Sequence, residues 1–322
     1  MSRRAGVLIG IAVATVAGVV VAPMMGVVSL SELRTVPIFW TIRVPRTILA
    51  FLAGSGLSLA GMTFQAMFRN PLVTPYTLGV SGGAAFGATL ALRMGWMFSL
   101  LGVSTISLAA FVGALLSLIL VYGLSMSRGT HSTAVLLLAG AAMSFFFWSL
   151  IMFVQYLSDF TGSFRILRWL MGGVETVGYN AVLDVLPFVI SGSGVILCYT
   201  RELNMLTLGE DLAVSRGVAV SSVRALLFTA STLMVGGVVA VCGPIGFVGM
   251  IAPHICRLLI GNEHRYLAPA TFFFGGFFLV ACDTMARLII APAELPVGVI
   301  TALLGGPFFV WLLLRRSAST LA

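Results

Sequence analysis

The sequence is poor in charge and contains no lysine. Only 9% of its 322 residues are charged, and all eighteen basic residues are arginine. A soluble globular protein carries roughly 25% charged residues, so the shortage of charge excludes an ordinary soluble fold. The arginines give a net charge of +8. We interpret this excess as anchoring of helix ends to lipid headgroups and not as nucleic-acid binding.

Cysteine is scarce, and the motifs of common catalytic centres are absent. The four cysteines show no CxxC spacing and lie in or near apolar runs, so they predict neither disulfides nor a metal site. The sequence contains no nucleotide-binding loop, no HExxH pattern and no GxSxG elbow. We therefore expect a chain that is not an enzyme, has no ATPase of its own and binds no cofactor.

Long apolar runs make up most of the chain. Hydrophobic residues account for 59% of the sequence, and the mean hydropathy is +1.10. A helix crosses about 30 Å of hydrocarbon at about 1.5 Å per residue; eight runs are long enough, and two shorter glycine-rich runs bring the predicted spans to ten. They lie near residues 6–28, 47–67, 76–94, 100–124, 132–157, 180–200, 222–242, 246–260, 267–289 and 296–314. The predicted fold is an all-α integral membrane protein, with residues 1–322 forming one transmembrane domain.

The distribution of arginine predicts the orientation of these spans. With ten spans and a cytoplasmic start, eleven arginines lie inside and seven outside, as the positive-inside rule requires. Both termini are then cytoplasmic, and the first run is interpreted as a retained span because it is too long for a signal peptide. Spans 2–5 and 7–10 follow the same order of long span, broken turn and short span. This order is typical of an inverted repeat; coincidence among glycine-rich helices is the alternative.

Two arginines stand at the predicted outer mouth of the second span, against the positive-inside rule. They belong to the sequence Arg43-Val44-Pro45-Arg46. Guanidinium groups form paired hydrogen bonds with carboxylates, so one hypothesis is a cationic patch that receives acids of an outside partner. Anchoring to lipid phosphate explains the pair equally well.

Residues 68–83 interrupt the helical pattern at membrane depth. They contain two prolines, an asparagine and a cluster of glycines. Non-helical backbone at this depth is tolerated only inside protein or beside water. The stretch therefore predicts an element that lines a pathway or forms a gate, with a plain re-entrant turn as the alternative.

The main hydrophilic stretch, about residues 201–222, contains a short acidic helix. Glu210 and Asp211 stand at its predicted N-terminus, where the helix dipole favours acids, and Gly217 ends it. Leu212 leaves apolar surface on a helix that has little of its own to bury it. The functional interpretation is a docking surface for a cytoplasmic partner; the alternative is an amphipathic helix lying on the bilayer.

Three further motifs, GPIGFVGMIAPH at 243–254, NEHR at 262–265 and AELPVGV at 293–299, complete a resemblance. With the stretches above, they resemble the permease family of ABC importers for cobalamin, haem and ferric siderophores, from about Arg43 to Arg316. The resemblance implies two permease copies of ten helices each around a central pathway, with a homodimer expected. It also implies two ATPase subunits below, which carry ATP and Mg, and a periplasmic or lipid-anchored binding protein above.

The resemblance assigns two sets of residues to contacts with these partners. Three arginines match those that receive acids of the binding protein: Arg43, Arg46 and Arg287. A short helix matches the coupling helices that press into the ATPase, and its residues are Gly209, Glu210, Asp211, Leu212, Ala213, Arg216 and Gly217. Asp283 precedes Arg287 by four residues and is expected to pair with it near the outer surface.

Two segments match the cytoplasmic gate of the family. One contains Asn70 and Leu72, and the other contains Thr130. The predicted function is the permease subunit of an ATP-driven importer in the bacterial inner membrane, with ferric siderophores as expected cargo and haem or cobalamin as alternatives. An ion-coupled secondary transporter is the alternative from another class. It needs a relay of intramembrane acids or histidines, for which only Asp283 is a candidate.

Overall fold

The computed structural model describes residues 3–26, 38–96, 98–100, 102–126 and 133–320, which are helical for most of their length. A π-helical turn at Phe39–Arg43 leads into α2. The helices are α1 (Arg3–Val21), α2 (Val44–Met67), α3 (Val80–Arg93), α4 (Thr105–Met126), α5 (Thr133–Tyr156), α6 (Phe160–Leu170), α7 (Asn180–Cys198), α8 (Thr200–Leu208), α9 (Glu210–Ser215), α10 (Val220–Cys242), α11 (Val248–Ile260), α12 (His264–Leu288) and α13 (Val297–Thr320).

Every predicted span corresponds to a helix. Within the described residues, seven helical segments are long and apolar enough to cross a membrane by length and composition. They are Arg3–Met24, Phe39–Met67, Thr105–Leu124, Val135–Tyr156, Asn180–Cys198, Val220–Cys242 and His264–Leu288. Shorter apolar helices lie at Val248–Ile260 and Val297–Leu312, and α3 has 14 residues. The predicted all-α membrane fold is confirmed.

Two predicted spans began several residues too early. The span predicted from residue 100 begins as α4 at Thr105, because Ser99–Leu100 (β1) pairs antiparallel with Val103–Ser104 (β2) in a minimal hairpin. The span predicted from residue 76 begins as α3 at Val80, after turns that end at Gly79 with φ of 80°. Hydropathy did not predict either helix start, because it measures apolar content and not backbone direction.

Hydropathy also failed to predict α6, which lies in the connection between α5 and α7. Asp159 caps this helix by accepting a hydrogen bond from the Gly162 backbone nitrogen at 3.1 Å. Ile166 is buried, whereas Phe164 and Arg168 are exposed. The available signal was an N-cap aspartate before an amphipathic eleven-residue run, which is too short to register as a span.

Helix α2 lies at the centre of the bundle. Of its most apolar window, 89% is buried inside the protein, against 11% for α1. A Cβ atom on Gly61 would lie 2.0 Å from the carbonyl oxygen of Gly249, and one on Gly54 would lie 2.3 Å from that of Gly275. Glycine therefore lets α2 contact α11 and α12 backbone to backbone, the close packing that small residues permit in membrane helices.

The two units of the predicted repeat have matching local structure. In each, a long helix (α2 or α10) is followed by a broken turn and a short helix (α3 or α11). A residue in the left-handed region precedes both short helices, Gly79 with φ of 80° and Phe247 with φ of 67°. The opposite orientation of the two units in the membrane stays a prediction.

Candidate functional site

Two of the predicted outer arginines form a largely buried ionic cluster with two acids, and Arg43 lies beside it. We call these five residues the outer arginine cluster: Arg43, Arg46, Asp283, Arg287 and Glu294. The Nε and Nη2 atoms of Arg46 each lie 2.9 Å from Oδ1 of Asp283, and its Nη1 atom lies 2.6 Å from Oε2 of Glu294. On the other side of the aspartate, Arg287 Nε lies 3.2 Å from Oδ2. The predicted pairing of Asp283 with Arg287 is therefore confirmed.

The cluster joins several elements and leaves a surplus of positive charge. Arg46, Asp283 and Arg287 are all buried. Arg287 donates to the carbonyl oxygens of Ala22 and Met25, which holds the end of α1 against α12. Three arginines against two acids leave one net positive charge. The cluster thus holds α1, α2 and α12 together and has a small excess of positive charge.

Arg43 differs from the other two arginines of the cluster. Its Nη1 atom donates to the carbonyl oxygen of Pro23 at 3.2 Å, and its side chain is only partly buried. Among the residues that the structure describes, no carboxylate forms an ion pair with it. Arg43 is therefore the member of the cluster that is best placed to accept an additional acid.

A first cavity of about 810 Å³ opens beside this cluster. Its wall includes the start of α2, one face of α6 and residues 294–296, and it carries two ion pairs. One is the Arg46–Glu294 pair, and the other joins Arg168 to Glu175 at 2.9 Å. Apolar side chains of α6 separate the two pairs, so the cavity is amphipathic.

A second cavity of about 560 Å³ is uncharged. It lies between α3, α5, α13 and the turn at residues 244–247, and no charged side chain is among its lining residues. Tyr76, Ser81 and Ser144 contribute hydroxyl groups, and Trp148 and Phe247 contribute aromatic surface. Met171 lines both cavities. The two cavities therefore adjoin at Met171, one beside the ionic cluster and the other with an uncharged wall.

The predicted gate residues Asn70 and Leu72 lie in a compact turn after α2. The Oδ1 atom of Asn70 accepts a hydrogen bond from the Leu72 backbone nitrogen at 2.9 Å, and Arg69 has φ of 49°. The guanidinium of Arg69 lies 3.9 Å from the position of a Cβ atom on Gly209. This turn therefore adjoins the predicted coupling segment. Thr130 lies outside the described residues.

The predicted coupling segment consists of α8, α9 and the turn after them. The predicted start of the short helix at Glu210 is confirmed, and Gly209 and Gly217 flank it with φ of 130° and 80°. Ala213 lies on the inner face of α9 and is fully buried. Four other side chains of the helix, together with Arg216, are exposed: Asp211, Leu212, Val214 and Ser215. The helix therefore has an exposed face that is partly acidic and partly apolar.

Glu210 is the exception in this segment because its carboxylate is bound within the chain. Its Oε1 atom lies 2.5 Å from Nη2 of Arg224, a buried arginine in the second turn of α10. Sequence analysis did not identify Arg224 as a site residue. The two partners are 14 positions apart and a turn lies between them, so no helical spacing predicted the pair.

Two further polar contacts near this segment were also missed. Asn204 of α8 accepts a hydrogen bond from the backbone nitrogen of His264 at 2.9 Å, which ties α8 to the start of α12. Gln65 of α2 accepts from Arg257 at 2.5 Å and donates to the carbonyl oxygen of Gly249 at 3.1 Å. The available signal was a polar residue inside an apolar run, since such residues are costly in a membrane unless they have partners.

The bundle, its two adjoining cavities and the exposed segment between α7 and α10 define a multi-pass membrane permease. Residues 6–315 match the FecCD transport family, and the chain belongs to that family.

Three comparisons describe its similarity to known proteins. The chain is 40% identical over 285 residues to the cobalamin import system permease protein BtuC of Halobacterium salinarum, which covers 87% of this chain and 74% of the relative. It is 37% identical over 280 residues to the hemin transport system permease protein HmuU of Yersinia pestis, covering 87% and 84%. A solved structure described as a metal-chelate type ABC transporter in an inward-facing conformation matches with a TM-score of 0.87 and 34% identity, covering 97% and 99%.

These findings establish the general function of the chain. It is an ABC importer permease of the FecCD and BtuC type. The printed names of the relatives differ in cargo, cobalamin in one and hemin in the other.

Proposed function

We propose that this chain forms the membrane channel of an ATP-driven importer that carries iron chelates, ferric siderophores first, across the bacterial inner membrane. Two copies enclose the pathway, two ATPase subunits bind ATP and Mg below, and a binding protein delivers the chelate above. Haem and cobalamin are the alternative cargoes, since relatives of this chain import them.

The observation that carries this proposal is the uncharged wall of the second cavity. A bulky chelate needs a wide passage that binds it weakly, and a charged wall would hold it by strong electrostatic attraction at low dielectric. The lining is apolar and aromatic with a few hydroxyl groups. Such a wall suits a large ligand whose metal is already enclosed by its own donor atoms.

The same structure argues against an ion-coupled carrier. Asp283, the one acid that the sequence offered for a proton relay, is enclosed by Arg46 and Arg287. Each of its two oxygens already forms an ion pair with one of these guanidinium groups, so the carboxylate is engaged in holding α2 against α12. It is therefore poorly suited to take up and release protons.

The central test is uptake by proteoliposomes that contain this permease with its ATPase and binding protein. We expect ATP to drive uptake of a ferric siderophore, and hemin and cobalamin measured in parallel define the cargo. Uptake driven by a proton or sodium gradient, with no ATPase present, would overturn the proposal. Uptake of hemin or cobalamin in place of the siderophore would correct the cargo and keep the importer.

The binding-protein contact is tested at Arg43. Because no carboxylate among the described residues forms an ion pair with this arginine, Arg43→Gln removes a charge that is available to an acid of the binding protein. We expect the affinity for the binding protein to fall about tenfold, equivalent to about 1.4 kcal/mol. Arg168→Gln is the matched control, because Arg168 lines the first cavity but already pairs with Glu175. An equal loss in both variants would contradict a specific role for Arg43.

The ATPase contact is tested at Leu212, an exposed leucine of α9. Leu212→Asp places a charge in the apolar part of the proposed interface, where an unpaired buried charge is costly. We expect copurification of the ATPase to be lost while the permease stays folded. Thr207→Asp adds the same charge to an exposed position of α8 and is expected to leave copurification intact. Normal copurification with Leu212→Asp would remove α9 from the interface.

A further inference from the structure

The acids at the start of α9 face in different directions. Asp211 is exposed, whereas the carboxylate of Glu210 turns toward α10 and binds Arg224. We propose that Glu210 is a positioning residue, which couples α9 to the span α10 through Arg224 and so transmits the motion of the ATPase to the second cavity. This inference rests on the proposed contact between α9 and the ATPase.

The ion pair is built at the boundary between exposed and buried surface. The side chain of Arg224 is 9% exposed and that of Glu210 is 42% exposed. Removing the acid takes an ion-pair partner away from a buried arginine, which is more costly than the loss of a pair in water. The arginine thus has a strong preference for the arrangement in which α9 stays against the base of α10.

Short glycine turns connect α9 to its neighbours on both sides. Glycines with positive φ, Gly209 and Gly217, flank it at both ends. The Glu210–Arg224 ion pair ties α9 to the span α10. Burial of Ala213 and a backbone bond from Val218 to the Ala213 carbonyl fix the underside of the helix. The ion pair adds the contact that prevents rotation relative to α10.

Helix α10 reaches from this ion pair to the second cavity. Its 23 residues span about 34 Å at about 1.5 Å per residue, and it is mostly buried among neighbouring helices. At its far end, the backbone nitrogen of Gly173 donates to the carbonyl oxygen of Cys242 at 2.8 Å. The turn that follows contributes Pro244, Gly246 and Phe247 to the lining of the cavity. A displacement at Arg224 is therefore carried by a rigid element to the cavity wall.

The test measures movement at the cavity wall and needs no knowledge of the cargo. Gly246→Cys places a thiol in the lining, and a Cβ atom there meets nothing within 4 Å. Cys198, the one exposed native cysteine within the described residues, is replaced by serine in the same background. The measured quantity is the change in thiol-labelling rate when ATP is added to the permease–ATPase complex. ATPase copurification is recorded for every sample.

In this background, Glu210→Gln is expected to keep ATPase copurification but to reduce the ATP-dependent change in labelling by roughly fivefold or more, the lower end of usual coupling between sites. Glu263→Gln is the matched control. Glu263 has a similar exposure, 39%, and its ion pair with Arg4 has the same 2.5 Å length, but it ties α1 to the start of α12. Its labelling response is expected to match that of the parent protein.

The charge-swapped double variant, Glu210→Arg with Arg224→Glu, separates coupling from stability. Restoration of the labelling response in this variant supports the proposal, because a simple loss of folding is not repaired by reversing both charges. A parent-like response in Glu210→Gln overturns it. Loss of ATPase copurification in Glu210→Gln also overturns it, since Glu210 would then contact the ATPase directly. If the parent protein itself binds no ATPase, the proposed function fails instead.

Discussion

The outer arginine cluster and the coupling segment are two predicted docking surfaces that are built in opposite ways. At the outer end, Arg46 and Arg287 are buried and share Asp283. At the other, α9 exposes Leu212 and Val214 and has one ion pair to a span. In the outer arginine cluster, the charges predicted to receive a partner also form internal ion pairs. In the coupling segment, the apolar side chains predicted to contact a partner are exposed.

This difference sets what each partner must do on binding. A binding protein that approaches Arg46 has to exchange its own carboxylate for Glu294, whose side chain is 42% exposed and therefore displaceable. An ATPase only has to cover exposed apolar surface on α9. We therefore expect salt to weaken outer docking more than ATPase docking, because exposed charge pairs are screened and apolar burial is not.

The largest expected effect that tests this contrast is on stability, at Asp283. Asp283→Asn leaves two buried arginines without their shared counter-charge, and removal of one partner of a buried pair costs about 3–5 kcal/mol. Asp211→Asn, the same exchange on exposed α9, is expected to change the free energy of unfolding by less than about 0.5 kcal/mol. Thermal unfolding in detergent measures both. Similar unfolding midpoints for the two variants would contradict the difference between the buried cluster and exposed α9.

A smaller effect is expected in α2, the helix that joins the two surfaces. It begins beside Arg43 and ends before the turn at Asn70. Gly61→Ala forces a Cβ atom against the carbonyl oxygen of Gly249, and overpacking of this kind costs about 1–3 kcal/mol. Gly10→Ala in α1 is the control, because a Cβ atom there meets nothing within 4 Å.

Loss of ATP-driven uptake is expected in Gly61→Ala even at temperatures where the variant remains folded, because the added methyl group pushes α2 away from α11. Uptake equal to that of Gly10→Ala would show that the two surfaces work without a close α2–α11 contact.

The smallest expected effect is at the exposed pair of the first cavity. Arg168 and Glu175 have side chains that are 64% and 48% exposed, and exposed ion pairs contribute below about 1 kcal/mol. Arg168→Gln is therefore expected to leave the unfolding midpoint nearly unchanged. A decrease in the unfolding midpoint as large as that of Asp283→Asn would show that exposed and buried ion pairs contribute equally to the stability of this protein.

Much of the fold was predictable because membrane spans are encoded in consecutive residues. Each apolar run predicted a helix, and the acids before Leu212 with the glycine at 217 predicted α9. Helix α6 was missed because its eleven residues pack through one face and never form an apolar run. The local sequence pattern thus predicted those helices whose own consecutive residues match their surroundings.

The candidate sites were predictable only in part. The outer arginines were identified, and one partner, Asp283, was found because it lies one helical turn from Arg287. Glu294 was not assigned to Arg46, since 248 residues separate them. The bonds of Glu210 to Arg224 and of Gln65 to Arg257 escaped for the same reason, as no sequence spacing relates their members.

The sequence by itself determined that this protein is a bundle of membrane helices, because lipid demands continuous apolar runs and the length of each run is set by consecutive residues. Only the tertiary structure decided which charges are partners, which helix lies at the centre and where the cavities open. These properties depend on close approach between segments that are distant in the chain, and hydropathy contains no information about that approach.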